Sequence, residues 1–131
     1  MIRICKILAK SADGKKAICI DKQNEKEILS YVNQSEKHLK KFRQIIQFLL
    51  EGHKNTDLYD KENINEKAKH VTAMKFFKRQ ENDRIYCLEQ KAEGLYIIVA
   101  VEVYEKKKSQ KITKKETPII NKIANYEYKI E

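Results

Sequence analysis

From Leu95 to Val101 the chain reads LYIIVAV, seven residues without a charge in a protein where charged residues make up 36%. Such a run cannot lie on a surface of that character, and it is far short of the roughly 20 residues of a membrane-spanning helix. Isoleucine, valine and tyrosine favour extended backbone. The run is therefore expected to be a central strand covered on both faces, and the rest of the chain has to supply the cover.

Two further strands precede it. Val71 to Phe77 and Arg84 to Glu89 have strand composition, with Gln80-Glu81-Asn82-Asp83 between them and Lys91-Ala92-Glu93-Gly94 before the central run. Gly94 is the residue a tight hairpin turn asks for. At the start of the chain, Ile2, Ile4 and Cys5 to Leu8 form one β-rich run and Ala17 to Ile20 another, joined through Asp13-Gly14, which predicts a hairpin. The periodicity then becomes helical. Ile28, Leu29, Tyr31 and Val32 recur at helical spacing, as do Leu39, Phe42, Ile45, Ile46, Leu49 and Leu50. Asn33-Gln34-Ser35 breaks this into two helices, Ser35 capping the second and Gly52 stopping it.

The polar stretch from Glu51 to Lys69 is expected as a loop or short helical turn. Pro118 opens a last helix whose apolar face is Ile119, Ile120, Ile123 and Ala124, with Thr117 as its cap. The order is hairpin, helices, three antiparallel strands, short helix. This predicts an α+β class, one domain over residues 1–131, a small antiparallel sheet with the first helices on one face, and residues 1–22 as a hairpin extension of the sheet.

The formal net charge of +9 favours polyanionic partners such as nucleic acid, an acidic protein or an anionic membrane surface. Cys5, Cys19 and Cys87 are far apart and flanked by apolar residues, the pattern of reduced buried thiols in a cytoplasmic protein. His38, His53 and His70 sit at no zinc spacing from them, so no metal site is expected. Met1-Ile2-Arg3 leads into alternation, and no signal peptide is expected.

The second half resembles a known family. Lys75 to Arg79, Arg84-Ile85-Tyr86, Gly94, Ile97 to Val103, Lys106-Lys107-Lys108 and Thr117-Pro118 follow one another as in the RelE/HigB/ParE toxin superfamily of type II toxin–antitoxin modules, especially its phage-derived HigB-like branch. The preceding helical hairpin also suits that family, so the resemblance spans about Asn24 to Tyr126. It implies a RelE-like fold and a cytoplasmic toxin that cuts messenger RNA without a metal or cofactor, in a ribosome-dependent way. It also implies a cognate antitoxin as partner, with operator DNA reached only through that antitoxin and no membrane involved. The alternative is a non-catalytic ParE-like topoisomerase inhibitor or nucleic-acid-binding module of the same fold.

Metal-independent RNA cleavage needs a base for the 2′-hydroxyl, positive charge for the transition state and an acid for the leaving oxygen. Lysine serves as base when neighbouring cations lower its pKa, and arginine, always charged, belongs on the phosphate. By the resemblance, Lys75 and Arg84 occupy the positions of a basic residue and the phosphate-binding arginine. Lys106 and His70 complete the catalytic candidates, histidine because its pKa suits proton transfer. Lys78, Arg79, Lys107, Lys108 and Lys111 are candidate RNA contacts. Phe77 stands where some relatives have a second lysine and could stack on a base. Tyr104 is the phenol nearest the lysine cluster. Strand alternation puts Lys75, Phe77 and Arg79 on one side, Phe76 and Lys78 on the other. Other readings of the same residues stay open: a solvated lysine turn, an Arg84 paired with a carboxylate such as Glu89, an ordinary loop histidine at position 70, and core tyrosines at 31, 86 and 96.

Overall fold

A computed structural model describes residues 1–77, 82–105 and 115–131. Among them the elements run β1 (Ile2–Lys10), β2 (Lys16–Asp21), α1 (Glu25–Val32), α2 (Glu36–Leu50), β3 (Tyr59–Lys61), a 3-10 turn (Glu66–Ala68), β4 (Val71–Phe76), β5 (Asp83–Ala92), β6 (Leu95–Tyr104), α3 (Glu116–Ala124) and β7 (Glu127–Ile130). The chain is α+β, and the strands form a single sheet in the order β3-β4-β5-β6-β2-β1-β7. The apolar run is thus the middle strand.

The sheet is mixed, which corrects the expected small antiparallel one. β2 lies parallel to β6, and β1 parallel to β7. The cause is the path of the chain. After β2 it crosses one face as α1 and α2, enters at the far edge through β3, and returns through three antiparallel connections to β6. The parallel β7 follows once α3 has crossed the opposite face. The N-terminal hairpin continues the sheet beyond β6, with β2 in its interior and β1 covered by β7. β3 and the 3-10 turn occupy the stretch expected to be a loop or short helical turn, and β7 was not foreseen.

Each face of the sheet carries helices. Ile18, Ile20, Met74, Phe76, Ile85 and Ile98 pack against Ile28, Tyr31 and Val32 of α1 and Phe42, Ile45 and Leu49 of α2. On the other face Val71, Ala73, Tyr86, Leu88, Ile97 and Val99 meet Ile120 and Ile123 of α3. Cys5, Cys19 and Cys87 are free and buried. None of the described helices is long and apolar enough to cross a membrane.

Local signals act as their chemistry requires. The Ser35 side chain accepts the His38 backbone N–H at 3.1 Å and caps α2. At the other end Gly52, at φ +80°, donates its N–H to the Leu49 carbonyl, and His53 donates to Phe48, the paired closure that a left-handed residue permits. Ser35→Ala is expected to cost about 1 kcal/mol, read as a lower urea midpoint with an unchanged slope. Thr117 is not the cap of α3: the helix begins at Glu116, its cap position is Lys115, and no side chain caps it. Pro118 sits inside the first turn, where a backbone N–H would have no helical partner.

One polar cluster ties four segments together. Arg3 of β1 donates from Nε and Nη2 to the two oxygens of Asp21 at 2.7 and 3.0 Å. Tyr128 of β7 donates its hydroxyl to Oδ2 at 2.5 Å, and the Asn24 N–H, just before α1, donates to Oδ1 at 3.0 Å. Asp21 is fully buried and Arg3 nearly so. Burial, and then Asp21 itself, push the Tyr128 phenol well above its ordinary range, so it remains a donor.

Candidate functional site

Antiparallel pairing sets Lys75 of β4 directly beside Arg84 of β5, and Arg84 directly beside Tyr104 of β6. An amine, a guanidinium and a phenol therefore share one row across three strands spaced about 4.8 Å apart. They lie on the α3 side of the sheet. Lys75 alternates with Val71 and Ala73, which pack on that face, and Tyr104 packs beside the same cluster.

Tyr104 reaches this side because β6 carries a bulge. The register moves between the pairs Tyr86 with Glu102 and Cys87 with Ala100, leaving Val101 as the extra residue. Simple alternation would keep Val103 with Ile97, Val99 and Val101. Instead Val103 packs toward α1 and α2, and Tyr104 toward α3. A bulge re-aims everything beyond it.

Carboxylates meet both cations. Arg84 Nη1 donates to Glu62 Oε1 at 2.6 Å, with the two side chains only 12% and 4% exposed. Glu89, the example named for an ion-paired Arg84, lies five positions along the strand, an odd interval that puts it on the opposite face. Lys75 Nζ donates to the Thr56 carbonyl at 2.9 Å and lies 4.0 Å from Asp60 Oδ2. Next along β5, Tyr86 donates its hydroxyl to the buried Glu116 of α3 at 2.6 Å. Burial first, then that hydrogen bond, push the Tyr86 phenol up. Among the described residues the corner is thus no unopposed positive patch: Lys75 and Arg84 stand among Asp60, Glu62 and Glu116. Nothing in the sequence spacing marks those three acids, because each arrives from a segment remote along the chain.

The remaining candidates disperse. Phe77 leaves the strand at φ +50°. Its ring packs edge-on against His38 at 4.8 Å and lies 4.3 Å beneath Lys37 Nζ, so it belongs to the α2 side and does not share a side with Lys75. His70 is exposed just before β4, where its carbonyl accepts the Glu89 N–H at 3.1 Å. Five residues of extended chain, about 16 Å, separate it from Lys75, too far to serve the same phosphodiester. Lys78, Arg79, Lys106, Lys107, Lys108 and Lys111 lie outside the described residues. The tyrosines at 31, 86 and 96 have buried rings or rims and send their hydroxyls to Asp83, Glu116 and Glu89 respectively.

No family model, curated protein or solved structure matches this chain.

Proposed function

We propose that the chain is an RNA-cleaving toxin whose reaction runs at the row formed by Lys75, Arg84 and Tyr104. The observation that carries this reading is the lateral register of those three residues. It is supported by the succession of helical hairpin, antiparallel β4, β5 and β6, and Thr117-Pro118 at the start of α3, the order found in the family that the second half resembles.

In this reading Lys75 takes the proton from the ribose 2′-hydroxyl. The 2′-oxygen then attacks phosphorus, the bond from phosphorus to the 5′-oxygen breaks, and the leaving oxygen takes a proton from the Tyr104 phenol. The products are a 2′,3′-cyclic phosphate and a 5′-hydroxyl. Arg84 bears the charge that builds on the phosphoryl oxygens. Its bond to Glu62 uses one nitrogen, and a guanidinium has five N–H donors in a fixed fork. Glu62 therefore orients Arg84 and leaves the rest of the fork for phosphate. Messenger RNA on the ribosome is the proposed substrate, and an antitoxin covering the same corner is the proposed resting partner.

A second reading has its own observation. Both cations already have acceptors, Arg84 in Glu62 and Lys75 in the Thr56 carbonyl, which suits a surface that recognises a partner by contact and moves no proton. The two readings part in one assay. Wild-type protein is incubated in EDTA with end-labelled single-stranded RNA and, separately, with translating ribosomes. Cleavage to cyclic-phosphate ends is expected, falling about 10²–10³-fold in Lys75→Met and unchanged in His70→Ala. Binding without cleavage by the wild type, or full activity in Lys75→Met, selects the contact reading.

A further inference from the structure

On the sheet face away from Lys75 and Arg84, a cavity of about 570 Å³ opens between the C-terminal end of α2, the segment after it, and strands β3 to β6. Its size is that of a small-molecule site. The side chains lining it divide into three kinds.

Glu89 and Asp60 are the carboxylates of the lining, and Glu89 is held from two sides. Tyr59 of β3 donates its hydroxyl to Oε2 at 2.5 Å, and Tyr96 of β6 donates to Oε1. Thr72 donates to the Tyr59 oxygen at 2.6 Å, which commits the Tyr59 proton to Glu89. Burial is the first cause that pushes both phenols above their ordinary range, so they act as donors and Glu89 as acceptor. Each carboxylate oxygen has two lone-pair directions. With one phenol on each, each oxygen keeps capacity for one further hydrogen bond, and the two oxygens of the carboxylate lie side by side.

Ile45, Phe48 and Leu49 of α2, with Leu58 and Ile98, make the apolar walls. Lys16, His53, Lys54 and Lys61 also line the cavity, with Asp60 among them. Lys16 Nζ donates to the Leu49 carbonyl at 3.1 Å, using one of its three protons. His53 stands 3.6 Å from Glu51.

We propose that this cavity takes a guanine nucleotide, with the N1–H and N2–H edge of the base on Glu89 and the phosphate among Lys16, His53, Lys54 and Lys61. Paired acceptors ask for paired parallel donors, and apolar walls ask for a flat body that can be desolvated. An organic cation would satisfy Glu89 but has to pass several basic groups in a chain of net charge +9. A neutral base with a phosphate outside uses the acid and the basic groups together. Adenine offers a single exocyclic donor beside the N1 acceptor, and uracil one N–H between two carbonyls. Each would set a lone pair against the carboxylate. The same base edge is available in free nucleotide and in single-stranded RNA, where unstacked bases are read in this way.

This inference does not rest on the ribonuclease reading, since its base contact, Glu89, emerges on the opposite face of β5 from Arg84; Thr56 and Asp60, which meet Lys75, belong to the cavity rim. Calorimetric titration of the full chain with 5′-GMP, 5′-AMP and agmatine tests it. GMP is expected to bind and AMP to bind roughly 10- to 100-fold more weakly, the consequence of one unmade hydrogen bond to a partly buried acceptor. Glu89→Gln, which replaces one acceptor by a donor, is expected to lose GMP to a similar degree while its melting temperature certifies the fold. Lys54→Ala/Lys61→Ala should weaken GMP and leave guanosine unchanged. Hexamers with one guanine or none extend the same support: tighter binding of the guanine hexamer than of GMP assigns the site to RNA. Equal binding of GMP and AMP, preference for agmatine, no binding of GMP, or unchanged binding by Glu89→Gln overturns the proposal. RNA cleavage without GMP binding, or GMP binding without cleavage, separates its fate from that of the ribonuclease reading.

Discussion

Replacing Asp21 by alanine is expected to lower the stability of the fold by about 3–5 kcal/mol, the usual consequence of leaving one member of a buried ion pair uncompensated. Asp21 is the common acceptor for Arg3, Tyr128 and the Asn24 N–H. Its removal strands a guanidinium that is only 8% exposed and takes the acceptor from a buried phenol. The segments affected are β1, the end of β2, the entry to α1, and β7, so the loss reaches the strand that pairs with β6. For a chain of this size the melting temperature should fall by about 10–20 °C. Asp21→Asn keeps the shape and some acceptors and should cost less. Urea unfolding with unchanged slope is the appropriate measurement. A loss below about 1 kcal/mol in Asp21→Ala would show that water replaces the carboxylate freely and that the cluster does not pin the hairpin.

The second large effect concerns Arg84 and Glu62. Truncating either to alanine is expected to cost about 3–5 kcal/mol, because each leaves the other charged and buried. Joint replacement, Arg84→Met with Glu62→Leu, should recover most of that loss, since a well-packed apolar pair often equals or exceeds a buried ion pair. A double-mutant cycle on urea midpoints gives the coupling directly. The same double variant separates structure from chemistry. Folded and assayed below its melting transition, it should still be slower in RNA cleavage by about 10²–10³-fold, the consequence of losing one transition-state donor. A folded double variant with full cleavage activity would reduce Arg84 to a structural residue and remove it from the proposed site.

Much of the fold was legible because its signals are short-range. The apolar run at Leu95, the helical spacing from Ile28 to Leu50, the cap at Ser35 and the stop at Gly52 all act within a few residues, and the structure places each as its local chemistry implies. β7 escaped notice because Glu127 to Ile130 is only four residues, two of them exposed. It becomes a strand through its place beside β1. β3, three residues long, is the same case. Thr117 failed as a cap because α3 starts at Glu116, two residues before the start a Thr117 cap implies, and the Glu116 side chain is drawn inward by Tyr86.

At the candidate site the legible part was residue type, and the illegible part was position. Lys75 and Arg84 could be picked out as a basic pair on the resemblance, but their adjacency is a matter of register. Tyr104 shares their face only because β6 bulges at Val101. Phe77, assigned to their side by alternation, turns away where the backbone takes positive φ. Glu62, Asp60 and the cavity around Glu89 carried no motif at all, and became visible only once distant segments were brought together.

The amino-acid order alone determined where the longer helices and strands form, which strand is innermost, and that the thiols are buried. These follow from periodicity, capping and turn chemistry, interactions that close within one or two turns of chain. Tertiary structure alone decided the parallel pairing of β2 with β6, the face on which each side chain beyond a bulge emerges, and which carboxylate meets which cation. Those outcomes depend on contacts between residues tens of positions apart, whose partners are selected by packing and by the cost of burying an unpaired charge.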